Sequence, residues 1–198
     1  MGRPKGLCRL PGASGTFLQT LVATYAAARI PVAVVAGRDD LPAYQRLLPP
    51  GSGLDVAWLG ADTRGDTART ALLARQAWPE ASHYWLQPVD LPLLRPETVR
   101  LLAAASHREP ARIVRPARGA VPGHPVIVPH PVLAGLERLA VGDERLAAGP
   151  LRDIIETATT AGELERPRIV AVEDPGVVRD FDSPADLEPG PSNDGKEA

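Results

Sequence analysis

A chain of 198 residues with 44% hydrophobic residues is long enough for one large domain around a single sizeable core. Its formal net charge of −2 excludes a global field that would draw in nucleic acid or an anionic membrane. No apolar run approaches the roughly 20 residues of a membrane span, and the lone Cys8 excludes an internal disulfide.

These features, with no signal-peptide pattern at the N-terminus, point to a reducing, cytoplasmic setting. Only 4% of residues are aromatic, so the core must be built from Val, Leu, Ile and Ala, as for parallel strands covered by helices.

The first helix begins at Thr16, where "TFLQ" has the form of a capping box: Thr16 is N-cap and Gln19 the third helical residue. Phe17, Leu18, Leu21, Val22 and Tyr25 then recur at helical spacing. "PVAVVAGR" is a continuous apolar run ending at glycine, the pattern of a strand buried on both faces. A short helix over Leu41 to Leu48 and the strand "DVAWLG" follow. Next come a helix from Thr67 to Trp78, a strand "HYWLQPVD" ending on a carboxylate, and a helix from Pro96 to Ser106 with proline in its first turn.

This alternation predicts an α/β fold with a mostly parallel sheet. At Ile113 the pattern changes. "RIVRP" and "HPVIV" are strands joined by a short Gly-rich link. Helices near Val132 to Leu139 and Leu146 to Thr157 precede the strand "RIVAVE". "SPAD" at Ser183 to Asp186 is a capped helix start. The polar segment from Pro189 is expected to be disordered, leaving one domain over residues 1–188.

Asp90 falls where the strand "HYWLQPVD" emerges, and ligands of open α/β sheets bind outside the carboxyl ends of strands. A carboxylate there suits a hard Mg²⁺ ion, which takes one or two protein carboxylates and leaves its remaining positions to water and phosphate. The plain structural role for Asp90 is to cap the following loop. In "RDFDSPADL", Asp180 and Asp182 alternate across Phe181 and share a face of an extended chain. Either could join Asp90 at a metal, the other bracing a loop, while Asp186 serves the helix start. Gly123, before the strand "HPVIV", permits a close backbone approach to a ligand, and His124 stands beside it with no metal-ligand spacing to any other His or Cys.

Taken in order, "MGRPK", "PVDLPLLRPETVRLL", "GHPVIV", "GDERLAAGPLRDII" and "DPGVVRDFDSPADL" resemble the molybdenum cofactor cytidylyltransferases, a branch of the MobA-like nucleotidyltransferases. The resemblance runs from Met1 to about Leu187 and implies a Rossmann-like, three-layer fold. It also implies a Mg²⁺-dependent reaction: a phosphorylated acceptor attacks the α-phosphorus of a nucleoside triphosphate and pyrophosphate leaves. CTP is the implied donor, a molybdopterin cofactor the acceptor, and a molybdoenzyme a further partner. Lys5 matches the family's triphosphate-binding lysine, with Arg3 as a second cation, and Asp90 matches the metal-binding aspartate. Asp180 or Asp182 would be the second acidic ligand, and Gly123 and His124 would line the acceptor pocket. Thr67 and Thr70, in "RGDTARTALL", stand where the family has Gly-Met-x-x-Ser-Leu near the nucleotide.

The family's pattern continues upstream of "MGRPK" as a buried strand and a Gly-rich loop whose backbone N–H groups face the triphosphate. The resemblance therefore implies an N-terminally truncated domain lacking its first strand. The alternative expectations are a non-catalytic remnant, an accessory protein that binds a cofactor, and a transferase using GTP or another acceptor.

Overall fold

The computed structural model describes residues 3–48, 56–61, 68–142 and 150–188. Helix α1 (Phe17–Ala27) starts as its sequence dictates: the Thr16 backbone N–H donates to Gln19 Oε1 at 2.9 Å, and the Gln19 N–H to Thr16 Oγ1 at 3.3 Å. Strand β1 (Val32–Gly37), helix α2 (Leu41–Leu47), strand β2 (Val56–Ala61) and helix α3 (Ala68–Ala77) follow. Next come β3 (His83–Leu86), α4 (Pro96–Arg108), β4 (Val114–Arg118), β5 (Val121–Pro122) and β6 (Val126–Pro129). Helices α5 (His130–Gly142) and α6 (Leu151–Thr160) and strand β7 (Arg168–Ala171) complete the regular elements. Two short 3-10 turns, Pro175–Val177 and Pro184–Leu187, end the described chain.

Three layers result. Tyr84 and Val128, paired across β3 and β6, point to one face, where Leu133, Leu136, Ile154 and Ile155 of α5 and α6 cover them. Their neighbours Trp85 and Ile127 point to the other face, against Leu102 of α4. This alternation is the period-2 signature of strands covered on both sides. Helices α1 and α2 extend the α4 layer over β1 and β2, through Leu18, Val22 and Tyr44 packed on Val34 and Ala36.

Parallel pairing joins β1 to β2 and β4 to β7. The change of pattern at Ile113 marks antiparallel pairings, of β6 with β3 and β4 and of β5 with β4. For β4 and β5 the cause is local: Gly119, at a φ of 59°, lets the chain reverse directly from one into the other, a link too short for a crossover.

The strand expected over "HYWLQPVD" ends early, at Leu86. Pro88 has no N–H to offer a ladder, and the Gln87 side chain donates to the carbonyls of Pro88 (3.1 Å) and Leu91 (3.3 Å), turning the chain. Asp90 thus sits on a braced turn beyond the strand. The segment expected to be disordered, 189–198, lies outside the described residues. Among the described residues no helix is long and apolar enough to cross a membrane.

Candidate active site

Lys5 opens a 3-10 turn, Lys5–Leu7, that is fastened to the start of α1. The Phe17 N–H donates to Cys8 O at 2.8 Å, and Arg9 and Thr16 form an isolated β-bridge. Gly6 lies under the ring of Tyr44, so close that a Cβ there would stand 2.5 Å from a ring carbon. Beneath the turn, Cys8, Phe17 and Phe181 form a buried cluster, the two phenyl rings 5.3 Å apart. Lys5 is thereby aimed by a rigid support rather than by a flexible arm.

Its ammonium donates to Asp90 Oδ2 at 2.8 Å and, more closely still, to Asp182 Oδ1. The Asp90 carboxylate is 23% exposed and that of Asp182 is 69% exposed. Partial desolvation pulls the Lys5 ammonium down, but the Asp182 and Asp90 carboxylates outweigh it and hold Lys5 above the usual lysine range. Such a half-exposed ion triplet contributes only about 0–1 kcal/mol to stability. Its placement is what matters: three charged groups from three distant parts of the chain meet beyond the end of β3.

Two further contacts keep them there. The Phe181 N–H donates to the backbone oxygen of Asp90 at 3.0 Å, joining the two acidic segments directly. Behind them, the buried Asp174 carboxylate accepts from Thr98 Oγ1 (2.7 Å), the Arg95 N–H (2.9 Å) and the Gly176 N–H (2.8 Å). Asp174 thus ties the segment carrying Asp182 to the first turn of α4, which follows the Asp90 turn. Nothing in the sequence reading singled it out, although an acid before Pro-Gly is a turn signal. Asp174→Ala would orphan three donors, two of them in buried hydrogen bonds, and is expected to cost about 3 kcal/mol. A thermal melt should show it as a loss of roughly 6–12 °C.

The other predicted residues fall as follows. Asp180 is exposed and outside the triplet, while Asp186 accepts from the Ser183 N–H (2.6 Å), Ser183 Oγ (2.9 Å) and the Asp182 N–H (2.9 Å). The Ser183 backbone and hydroxyl, with the Asp182 N–H, hold the Asp186 carboxyl below the usual range, as its capping role demands. Arg3 is exposed and lines the same large cavity as Lys5, Asp90 and His124. His124 is half-buried, with Nδ1 3.5 Å from the Leu86 oxygen. Gly123 is buried, and the close approach it permits is to the backbone of Val177: a Cβ would stand 2.2 Å from the Val177 oxygen. Thr70 lies in α3, and Thr67 lies outside the described residues.

Among the described residues no group of three or more His, Cys, Asp and Glu side chains is gathered to hold a metal. The donor set at Lys5 still fits one: Asp90 and Asp182 offer the two hard carboxylates that a Mg²⁺ or Mn²⁺ ion needs when phosphate oxygens complete its shell.

Known structures share this arrangement of elements. Rv0371c from Mycobacterium tuberculosis H37Rv, in complex with manganese, is 21% identical with a TM-score of 0.61, over 86% of this chain and 83% of that one. The 4-diphosphocytidyl-2C-methyl-D-erythritol synthase of Anaerococcus prevotii is 11% identical with a TM-score of 0.72, over 90% and 85%. Molybdopterin-guanine dinucleotide biosynthesis protein A of Archaeoglobus fulgidus is 14% identical with a TM-score of 0.61, over 94% and 88%. No curated protein matches the sequence significantly. The fold is thus the Rossmann-like one of nucleotidyltransferases. The family of the MobA-like NTP transferase domain matches residues 1–162, most of the sequence, and to that family of nucleotidyltransferases this chain belongs.

Proposed function

We propose that the protein transfers CMP from CTP to the phosphate of a molybdopterin-type acceptor, with Mg²⁺ as its metal and pyrophosphate as the second product. The observation that carries the reading is the Lys5 ammonium held between Asp90 and Asp182 beyond the end of β3. The match of "PVDLPLL" and "GHPVIV" to the cytidylyl branch favours CTP and the pterin.

An acceptor phosphate oxygen forms a bond to the α-phosphorus, and the bond from that phosphorus to the bridging oxygen of the β-phosphate breaks. Such a displacement needs position and charge more than covalent help from the protein. Lys5 supplies a fixed positive charge for the triphosphate, kept ionised by its carboxylate neighbours, and Arg3 adds a second at the rim. Asp90 and Asp182 would hold the ion, which when bound neutralises phosphate charge. The buried Phe17–Phe181 pair and the Asp174 clamp keep these groups in place. Arg115 Nη2 donates to Gly123 O at 3.3 Å and fixes the backbone beside His124, on the side read as the acceptor pocket.

Competition between CTP and GTP at equal concentration, followed by pyrophosphate release and the nucleotide incorporated, tests the choice of donor. A preference for CTP of at least tenfold, about 1.4 kcal/mol, is expected. A clear preference for GTP would assign the guanylyl alternative, and binding of nucleotide without turnover the accessory one.

A further inference from the structure

We infer that Arg115 binds the attacking phosphate of the acceptor, on the α6 side of the site and apart from the Lys5 triplet. Val114 packs on Leu102 of α4, so Arg115, next along β4, projects from the opposite face, the one covered by α5 and α6. The ladder sets its level. Trp85 pairs with Ile127 and Ile127 with Val114, so the adjoining row holds Leu86, Val126 and Arg115. Leu86 is the last residue of β3, and only β6 stands between β3 and β4, which puts those two strands about 10 Å apart. From this row the side chain leans toward the carboxyl end of β3, where Nη2 donates to Gly123 O at 3.3 Å. Arg115 thereby lines the same cavity as Lys5, Asp90 and His124.

This guanidinium is only partly satisfied. Its Nε is buried and meets no acceptor among the described residues. No described carboxylate stands beside it either, and burial pulls it below the ordinary arginine range. Arg95 and Arg168, more than half exposed, each meet a carboxylate where water would have served. A single bond to a carbonyl uses one of the five N–H donors of an arginine. A desolvated cation without a counter-charge is costly, and such groups gather where an anion is to be bound.

The inference rests on the reaction proposed above and deepens it. That reaction brings two anions to one place. The triphosphate has Lys5 and a metal to receive it. The triplet itself, one ammonium against two carboxylates, carries a formal charge of −1 before a metal binds, and so offers nothing to a second phosphate. The acceptor phosphate therefore needs a cation of its own beside Gly123 and His124. Arg115 meets that need in charge and in shape: Nε–H and an Nη–H form a parallel pair that takes two phosphate oxygens and leaves the third free to attack.

The test has two arms. In the first, inorganic phosphate is titrated into the full chain, and the Arg115 Nε–H resonance, identified by its loss in Arg115→Met, is followed by nuclear magnetic resonance. A saturable shift is expected in wild type and equally in Lys5→Met, since the two cations serve different phosphates. In the second, Arg115→Met is expected to raise KM for the molybdopterin acceptor roughly tenfold or more and to leave KM for CTP within about twofold. Arg115→Lys, a point charge without the fork, should recover only part of that loss. Removing an unpaired buried charge should leave the melting temperature equal to wild type or higher. An Nε–H unmoved by phosphate, a shift that disappears in Lys5→Met, or an acceptor KM unchanged in Arg115→Met would each overturn the inference. So would a lowered melting temperature with both KM values raised alike, which would make Arg115 a brace for Gly123. The first arm uses no nucleotide, so a failure of the donor assignment leaves its result intact and the two failures are told apart.

Discussion

Replacing Asp90 by asparagine is expected to abolish metal-dependent pyrophosphate release, by a factor of at least about 10³, while leaving the fold intact. That factor corresponds to about 4 kcal/mol of transition-state stabilisation. Asparagine keeps the shape and one carbonyl oxygen for Lys5 Nζ, so the turn braced by Gln87 survives. What is lost is the charge, and with it one of the two hard carboxylate ligands that a divalent ion would find here. Because the triplet contributes about 1 kcal/mol or less to stability, the melting temperature should move by no more than roughly 4 °C. Wild-type turnover with metal dependence intact would remove Asp90 from the site. A collapse in melting temperature would instead assign it a structural role.

The second large effect is expected at Gly123. Its added methyl in Gly123→Ala would stand 2.2 Å from the Val177 oxygen and 2.8 Å from the Val177 carbon, backbone atoms that cannot rotate away. The same oxygen accepts from the His124 N–H at 2.8 Å, so the segment running from Val177 to Asp182 must move as a unit. A cost of about 3 kcal/mol follows, seen as a drop of roughly 6–12 °C in melting temperature. Asp182 should drift from Lys5 as the segment moves, and activity should fall further than stability alone explains. Gly119→Ala is the control: its φ of 59° is strained for alanine, but nothing lies within 4 Å of the new methyl. About 1 kcal/mol is expected there. Equal effects at the two glycines would show that the approach to Val177 is not what requires Gly123.

What the sequence made legible was local. The Thr16–Gln19 capping box and the strand β1 are written in neighbouring residues and both form as expected, although β1 fully buries only Val34 and Ala36, on one face, where the apolar run points to both. Lys5, Asp90 and Asp182 were each legible as candidates through the resemblance and the turn chemistry around them. Their meeting was not, because it depends on contacts spanning more than 80 residues. The tie between Asp180 and Asp182 had a physical origin too. Alternation assumes an extended chain, whereas the described chain there is irregular: Phe181 is buried against Phe17 and the capping box of Ser183 and Asp186 turns the backbone. The strand β3 stops at Leu86, short of the apolar run, because such a run carries no sign of where ladder bonding ends; Pro88, with no N–H, is the local mark of it. The clamp at Asp174 is not legible locally, since its partners Thr98 and Arg95 lie nearly 80 residues away. At Gly123 a glycine before a strand points to a close approach, read from the sequence as one to a ligand, whereas the backbone that comes close is that of Val177, more than 50 residues away.

Asp90 and Asp182, gathered at Lys5, are predicted to form the metal and triphosphate site. Binding of Mn²⁺ in the presence of CTP, followed by electron paramagnetic resonance, addresses it without requiring turnover. Wild type would be compared with Asp90→Asn, Asp182→Asn and Asp180→Asn. Affinity is predicted to fall at least tenfold, about 1.4 kcal/mol, in the first two variants and to stay at the wild-type value in the third. Equal affinity in all four proteins, or a loss confined to Asp180→Asn, would contradict the site.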